Sequence, residues 1–293
     1  MDRFVALTFA GLTQGAIASL IALGVVLLHN ATGIVNFAQG DLLTLGGFLG
    51  FWLINDHKWS TLPAYLAVLI LVFLVGVAIE RVGYAPLKKQ SQLAVMISTF
   101  ALALGLRSVM IIKFDATNRS LPPPIGKGNS VVKIGGAQVP YQTFLVLVVT
   151  GIIFAGMMLL LHRTSIGRQV RALAVDRETA LLQGIKVDRL SIIMFGASAS
   201  LAALGGLLVG PVLPIGPEVG FSLLLSSFAA TVLGGFDRVG GTVAAAFCVA
   251  IAQQYLGGYV SHNYTEAYPF IILLVALVLR PEGVIRGAAG VRY

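Results

Sequence analysis

Residues 4–28 read FVALTFAGLTQGAIASLIALGVVLL, twenty-five positions without a charge. About 20 apolar residues suffice for a helix to cross the hydrocarbon core of a bilayer. The run is too long for the apolar region of a signal peptide, and no small-residue cleavage site follows it, so it reads as a retained helix. Working outward, similar runs occupy 34–54, 62–82, 92–112, 141–161, 190–210, 220–235, 241–257 and 265–280. The sequence therefore predicts about nine transmembrane helices. The range is eight to ten, because 220–235 is short and 34–54 opens on polar residues. The runs are continuous rather than alternating, which excludes a β-barrel. The expected fold is an all-α integral membrane protein, one domain over residues 1–293.

Composition agrees. Of 293 residues, 57% are hydrophobic and 11% charged, with mean hydropathy +0.90. A soluble domain carries about 25% charge, so too few polar groups are present to cover a water-facing surface, and the lipid bilayer is the expected surrounding. The net charge of +8 does not point to nucleic acid, since the Lys and Arg residues sit between apolar runs and no basic patch is interleaved with aromatics. They set orientation instead, because cytoplasmic loops are enriched in Lys and Arg. Arg81, Lys88 and Lys89, then Arg163, Arg168, Arg171, Arg177, Lys186 and Arg189, then Arg280, Arg286 and Arg292 all fall on one side in a nine-pass arrangement. That side is the cytoplasm, with the C-terminus in it and the N-terminus outside. The loop 113–140 then lies outside. Its Pro122, Pro123, Pro124, Gly126 and Gly128 predict an extended crossing, not a helix.

No constellation for chemistry is present. The lone Cys248 can form neither an intrachain disulfide nor a CxxC site. The four histidines are scattered without an HExxH, and GxSxG and GxxxxGK[ST] are missing. The expectation is no catalytic residue, no metal and no cofactor in this chain. If ATP drives it, another subunit binds the nucleotide.

Residues 15–27, GAIASLIALGVVL, match residues 196–208, GASASLAALGGLL, at most of the thirteen positions, and LGGF recurs at 45–48 and 233–236. Four passes lie between the copies, an odd offset of five, so they run in opposite directions, as in the inverted repeats of transporters. The expected halves are about 4–161 and 190–281, with 162–189 between them on the cytoplasmic side. Asn36, Gln39 and Asp41 lie in or near a span, where polar groups are costly and face an interior or cavity; for Asp41, helix capping competes with a place on the pathway. Glu80 and Arg81 read as an interfacial pair, and Arg107 as a side chain snorkelling from its span. Pro211, Pro214 and Pro217 break the chain near the second repeat, as expected of a discontinuous element beside a substrate path. Asn36, Gln39, Asp41 and Pro214 are the candidate pathway residues.

The segment from Arg163 to Lys186 holds a short helix of its own. Asp176 can cap it, Glu178 falls in its first turn, and Gly184 can end it in the left-handed conformation. Two turns are not stable alone, so it packs either on this chain's own helix ends or on a partner. Here the sequence resembles a family. Residues 178–184, ETALLQG, resemble the E-A-A-x-x-x-G loop of bacterial ABC importer permeases. Residues 33–41, GIVNFAQGD, 164–172, TSIGRQVRA, and 232–242, VLGGFDRVGGT, resemble the branched-chain amino acid ABC permeases of the LivH type over essentially the whole chain. The resemblance implies a type II-like importer permease. It also implies two ABC ATPase subunits beneath it, a second related permease beside it and a periplasmic substrate-binding protein delivering cargo, in the bacterial cytoplasmic (inner) membrane. It makes Glu178, Ala180 and Gly184, with Arg171 and Asp176, the ATPase-coupling element. Permeases for urea and short amides share the family, so that substrate class stays open. So does a self-sufficient, ion-coupled secondary transporter, which the repeat and Asp41 would suit.

Overall fold

The computed structural model describes residues 2–124, 130–236 and 238–279, apart from the side chains of Arg177 and Glu178. Eleven α-helices account for most of them: α1 (Asp2–Thr32), α2 (Gln39–Phe51), α3 (Thr61–Ile79), α4 (Gln92–Phe114), α5 (Tyr141–Arg163), α6 (Ser165–Val175), α7 (Arg177–Leu182), α8 (Val187–Val209), α9 (Val219–Gly234), α10 (Val239–Tyr259) and α11 (Tyr268–Leu279). Six are long and apolar enough to cross a membrane: α1, α3 with the π-helical turn that extends it to Tyr84, α4, α5, α8 and α10. The other three runs expected to span form shorter helices, α2 with 13 residues, α9 with 16 and α11 with 12. Thirteen residues rise about 20 Å. The expected span 34–54 is shortened because Asn36 bends the chain. Its Oδ1 accepts from the Ala38 amide at 3.0 Å and its carbonyl from the Gln39 amide at 3.3 Å, so the helix begins only at Gln39.

The expectation of an all-α chain needs one correction. Strands β1 (Val131–Ile134) and β2 (Ala137–Pro140) pair antiparallel, with Val131 opposite Pro140 and Ile134 opposite Ala137. The two-residue connection is Gly135-Gly136, with φ of +56° and +86°. A type I′ turn requires that sign at both positions. Gly136 lies against the Asp2 carboxylate at the start of α1. Beside the hairpin, Arg119 and Ile215 exchange backbone hydrogen bonds at 3.0 and 2.8 Å, which ties the stretch before Leu121 to the proline loop 210–218.

Helix α1 is the centre of the bundle. Of its most apolar stretch 89% is buried, against 28%, 22% and 22% for α3, α4 and α5, which therefore form the periphery. It runs antiparallel to α10, with Gly11 against Ile251 and Gly15 against Phe247. Helix α3 runs antiparallel to α8 in the same way. Gly196 meets Phe73, Ser200 donates to the Leu69 carbonyl at 3.0 Å and Tyr65 to the Leu207 carbonyl at 3.1 Å. Helices α2 and α9 cross between these two pairs, Gly40 against Gly220. Small residues let backbones approach this closely. Glu80, expected at the interface, is 3% exposed and accepts a hydrogen bond from Ser191 at 2.8 Å. Its ion pair with Arg81 is long, at 3.9 Å.

Candidate functional site

Three of the four predicted pathway residues meet at the crossing of α2, and each has a structural partner there. Asn36 makes the turn described above, its side chain on the amide of Ala38, the residue before α2. Gln39, fully buried, donates through Nε2 to the Ser198 carbonyl at 2.8 Å. Ser198 Oγ lies 2.9 Å from both Gln39 Oε1 and the Gly24 carbonyl. One amide therefore binds α2 to α8 and α1. Asp41 is 0% exposed and takes a two-pronged contact from α4, with Arg107 Nε on Oδ1 at 2.8 Å and Nη2 on Oδ2 at 3.3 Å. Such fork geometry gives a strong charge-assisted pair. Arg107 is thus turned inward instead of snorkelling. Its Nη1 reaches Glu218 at 3.0 Å, and its guanidinium sits 5.3 Å from the Phe221 ring centroid. Thr44 Oγ1 accepts from the Gly220 amide at 3.1 Å.

A cavity of about 810 Å³ opens beside this crossing, between the first half of α1, β2 and the start of α5, the start of α9, and the end of α10 with the turn after it. Asn36, Gln39 and Asp41 do not line it. Pro214 does not either, being exposed one residue beyond Leu213, which does. Its polar groups come from residues that sequence reasoning passed over. Thr13 bonds Thr143 at 3.0 Å, Gln14 Nε2 donates to Gln253 Oε1 at 2.9 Å, and Gln254 Nε2 donates to Gln14 Oε1. Glu218 and Glu266 stand at its wall, Glu266 accepting from Ser222 at 3.2 Å. The signal was present: Gln14, Gln253 and Gln254 are uncharged amides deep within apolar runs, where only a polar partner or a wet surface stabilises them.

The opposite end of α5 leads into α6 and α7. Thr164 caps α6, its Oγ1 accepting from the Gly167 amide at 3.1 Å, and the apolar residues Val170 and Leu173 turn inward one helical turn apart. Asp176 caps α7 as the sequence predicts: Oδ1 accepts from the Thr179 amide at 3.3 Å and Oδ2 from the Thr179 hydroxyl. Gly184 has φ +81°; its amide bonds the Leu181 carbonyl at 3.0 Å and the Ile185 amide the Ala180 carbonyl at 3.2 Å. This is the Schellman pair of hydrogen bonds that ends a helix at a left-handed residue. Ala180 is buried, Leu182 is 89% exposed, and Arg171 is exposed on α6. Glu178 belongs to α7, but its side chain lies outside the described residues. A groove of about 450 Å³ runs between α6, the α7–α8 turn and α8, with Gln169, Lys186 and Arg189 on its edge.

A family model described as the permease component of the branched-chain amino acid transport system matches residues 7–277. The chain belongs to this permease family. The permease is 28% identical over 287 residues to the high-affinity branched-chain amino acid transport system permease protein BraD of Pseudomonas aeruginosa, covering 94% of this chain and 93% of that one. It is 27% identical over 289 residues to LivH of Escherichia coli (strain K12), a permease protein of the same description, with 94% of each chain covered. It is also 28% identical over 278 residues to the ribose import permease protein RbsC of the same strain, covering 91% of this chain and 83% of that one. As a transport permease it is not an enzyme. The match takes in the crossing, the cavity and α6–α7 alike.

Proposed function

We propose that the chain is the membrane-spanning permease subunit of an ATP-driven ABC importer in the bacterial cytoplasmic membrane, carrying branched-chain amino acids. The observation that carries this reading is the α6–α7 unit, a short pair of helices with its own caps at both ends and leucines facing outward. A two-turn helix defined this sharply by local hydrogen bonds, yet offering exposed Leu181 and Leu182, is suited to docking in a partner. The cavity lies at the other end of α5, about 35 Å away along a 23-residue helix. Two ATPase subunits would dock on α6–α7, a second related permease would complete the channel, and a periplasmic binding protein would deliver cargo at the hairpin end.

In this reading α2, α9 and α11 join the six long helices to make nine crossings, with the N-terminus outside and the C-terminus in the cytoplasm. The basic tail at Arg280, Arg286 and Arg292 lies outside the described residues. The reciprocal packing supports an inverted repeat: α1 lies on α10 as α8 lies on α3, and Gly40 meets Gly220 where the halves cross. Asp41, the carboxylate expected of an ion-coupled transporter, is held on both oxygens by Arg107.

The test is purification of the tagged chain in mild detergent, identification of what accompanies it, and reconstitution with those subunits in liposomes. Two Walker-motif ATPases, a related permease, and ATP-dependent uptake of leucine in preference to ribose or urea are expected. Uptake by the chain alone on a proton gradient would overturn the proposal.

A further inference from the structure

The groove between α6 and α8 changes character along its length. Lys186 stands at the N-cap of α8, and Arg189 and Ile193 follow at spacings of three and four residues. Residues so spaced share one face of a helix. Seven residues rise about 10 Å, so that face passes from basic to apolar within about two turns. On the α6 side, Ile166 and the amide of Gln169 line the same groove. Ile166 is 37% and Ile193 36% exposed. The charge is all of one sign. No Asp or Glu is among the described lining residues, and neither Lys186 nor Arg189 has an ion-pair partner among the described side chains. Asp188, which lies between them in sequence, bonds Lys88 at 2.7 Å and does not line the groove. Two exposed cations are thus left without a described counter-charge beside an apolar wall.

We infer that this groove seats an anionic phospholipid of the cytoplasmic leaflet, its phosphate on Lys186 and Arg189 and the upper part of its acyl chains along Ile193 and Ile166. An ionised phosphodiester only accepts hydrogen bonds, and the two basic side chains only donate them. Basic pockets between transmembrane helices on the cytoplasmic side hold anionic headgroups in this way. A free phosphate or a nucleotide would engage the cations and leave the exposed isoleucines unused, so the apolar half of the groove selects the lipid. Gly184 and Ile185, which end α7, also line the groove. The lipid therefore lies against the turn that carries α7 into α8 and stiffens it. The inference rests on the importer reading only for the leaflet that supplies the lipid.

The experiment uses the full chain in mild detergent, stripped of lipid and then given phosphatidylglycerol, phosphatidylcholine with the same acyl chains, or inorganic phosphate. Bound lipid is read by native mass spectrometry. Each Lys or Arg at headgroup level is worth about fivefold in affinity, so phosphatidylglycerol should bind about tenfold or more tightly than phosphatidylcholine. Lys186→Gln with Arg189→Gln should remove that preference, and Arg189→Gln alone should lower it should the double variant fail to fold. Lys186→Arg with Arg189→Lys keeps the charge and should keep the preference. Lys89→Gln with Arg163→Gln, which removes equal charge from exposed residues outside the groove, should change it little. Hydrogen exchange of the amides over 183–189 should slow with phosphatidylglycerol and not with phosphatidylcholine. Equal binding of the two lipids, equal losses in the groove and control variants, or slowing by inorganic phosphate as large as by the lipid would overturn the proposal. So would loss of the bound lipid on adding the ATPase subunits, since the groove would then belong to a protein interface. Selective lipid binding by a chain that recruits no ATPase would leave the lipid seat standing and remove the importer reading. ATP-driven uptake without lipid preference would do the reverse.

Discussion

Arg107 grips both carboxylate oxygens of Asp41 from a position 66 residues away in sequence, and Asp41 is 0% exposed. Removing the arginine would leave a buried carboxylate uncompensated, which typically costs about 3–5 kcal/mol. Arg107→Ala is therefore expected to lower the thermal midpoint of the detergent-solubilised chain sharply. Asp41→Asn in the same background should restore much of the loss, since an amide needs no counter-charge. Midpoints that moved independently in a double-mutant cycle would show that the pair does not couple.

Gly40 and Gly220 face each other across α2 and α9, and a Cβ on either would overlap the backbone carbonyl of the other. Backbone cannot yield as a flexible side chain can, so Gly40→Ala and Gly220→Ala should each destabilise by about 1–3 kcal/mol through overpacking. Gly105, whose added Cβ meets nothing within 4 Å, serves as the control, and Gly105→Ala should leave the midpoint unchanged or raise it slightly.

Ser198 holds the amide that joins three helices. Ser198→Ala would remove the one hydroxyl donor that Gln39 Oε1 and the Gly24 carbonyl share in a fully buried place, at a cost of about 1–3 kcal/mol. Ser200→Ala, on the same helix and losing one bond to the Leu69 carbonyl, should cost less. The ratio of the two midpoint shifts decides whether the central amide or any serine on α8 matters.

The caps of α7 can be separated from the bundle. Asp176→Ala should weaken α7 by about 1 kcal/mol through the lost cap. A side chain at Gly184, whose φ is +81°, should cost about 1–2 kcal/mol. If α7 docks the ATPase, Gly184→Val should depress substrate-stimulated ATP hydrolysis severalfold with little change in the midpoint of the isolated chain, and Gly184→Asn, which tolerates that conformation better, should retain more. Hydrolysis unaffected by Gly184→Val would remove α7 from the coupling path.

Legibility in the sequence followed the range of the interaction. The limits of α7 depend on Asp176, Thr179, Gly184 and Ile185, all within ten residues, and they were readable because capping is local chemistry. The long helices were readable because apolar length is a property of a single run. The partner of Asp41 was not, since Arg107 sits on another helix, and a charge near a span end has snorkelling as its simplest explanation when no fold is known. The β-hairpin was hidden by the proline and glycine content of its loop, although Gly135-Gly136 is a turn signal in its own right. The cavity escaped because its polar residues are amides spread over α1 and α10. Only the antiparallel packing of those helices, Gly11 on Ile251 and Gly15 on Phe247, brings Gln14 beside Gln253 and Gln254.

The depth of α1 has a consequence for how the protein is made. Helix α1 is the most thoroughly enclosed of the long helices, and α8, α9 and α10, which enclose it, follow it in the chain from residue 187 onward. Until then α1 must reside in lipid without those partners, satisfying its backbone internally. Its 31 residues thus meet two requirements in succession, apolar enough for bilayer residence early and lined with small residues for close helix contact later. The second half of the chain supplies the solvent that the first half exchanges for lipid, so each molecule finishes its centre last.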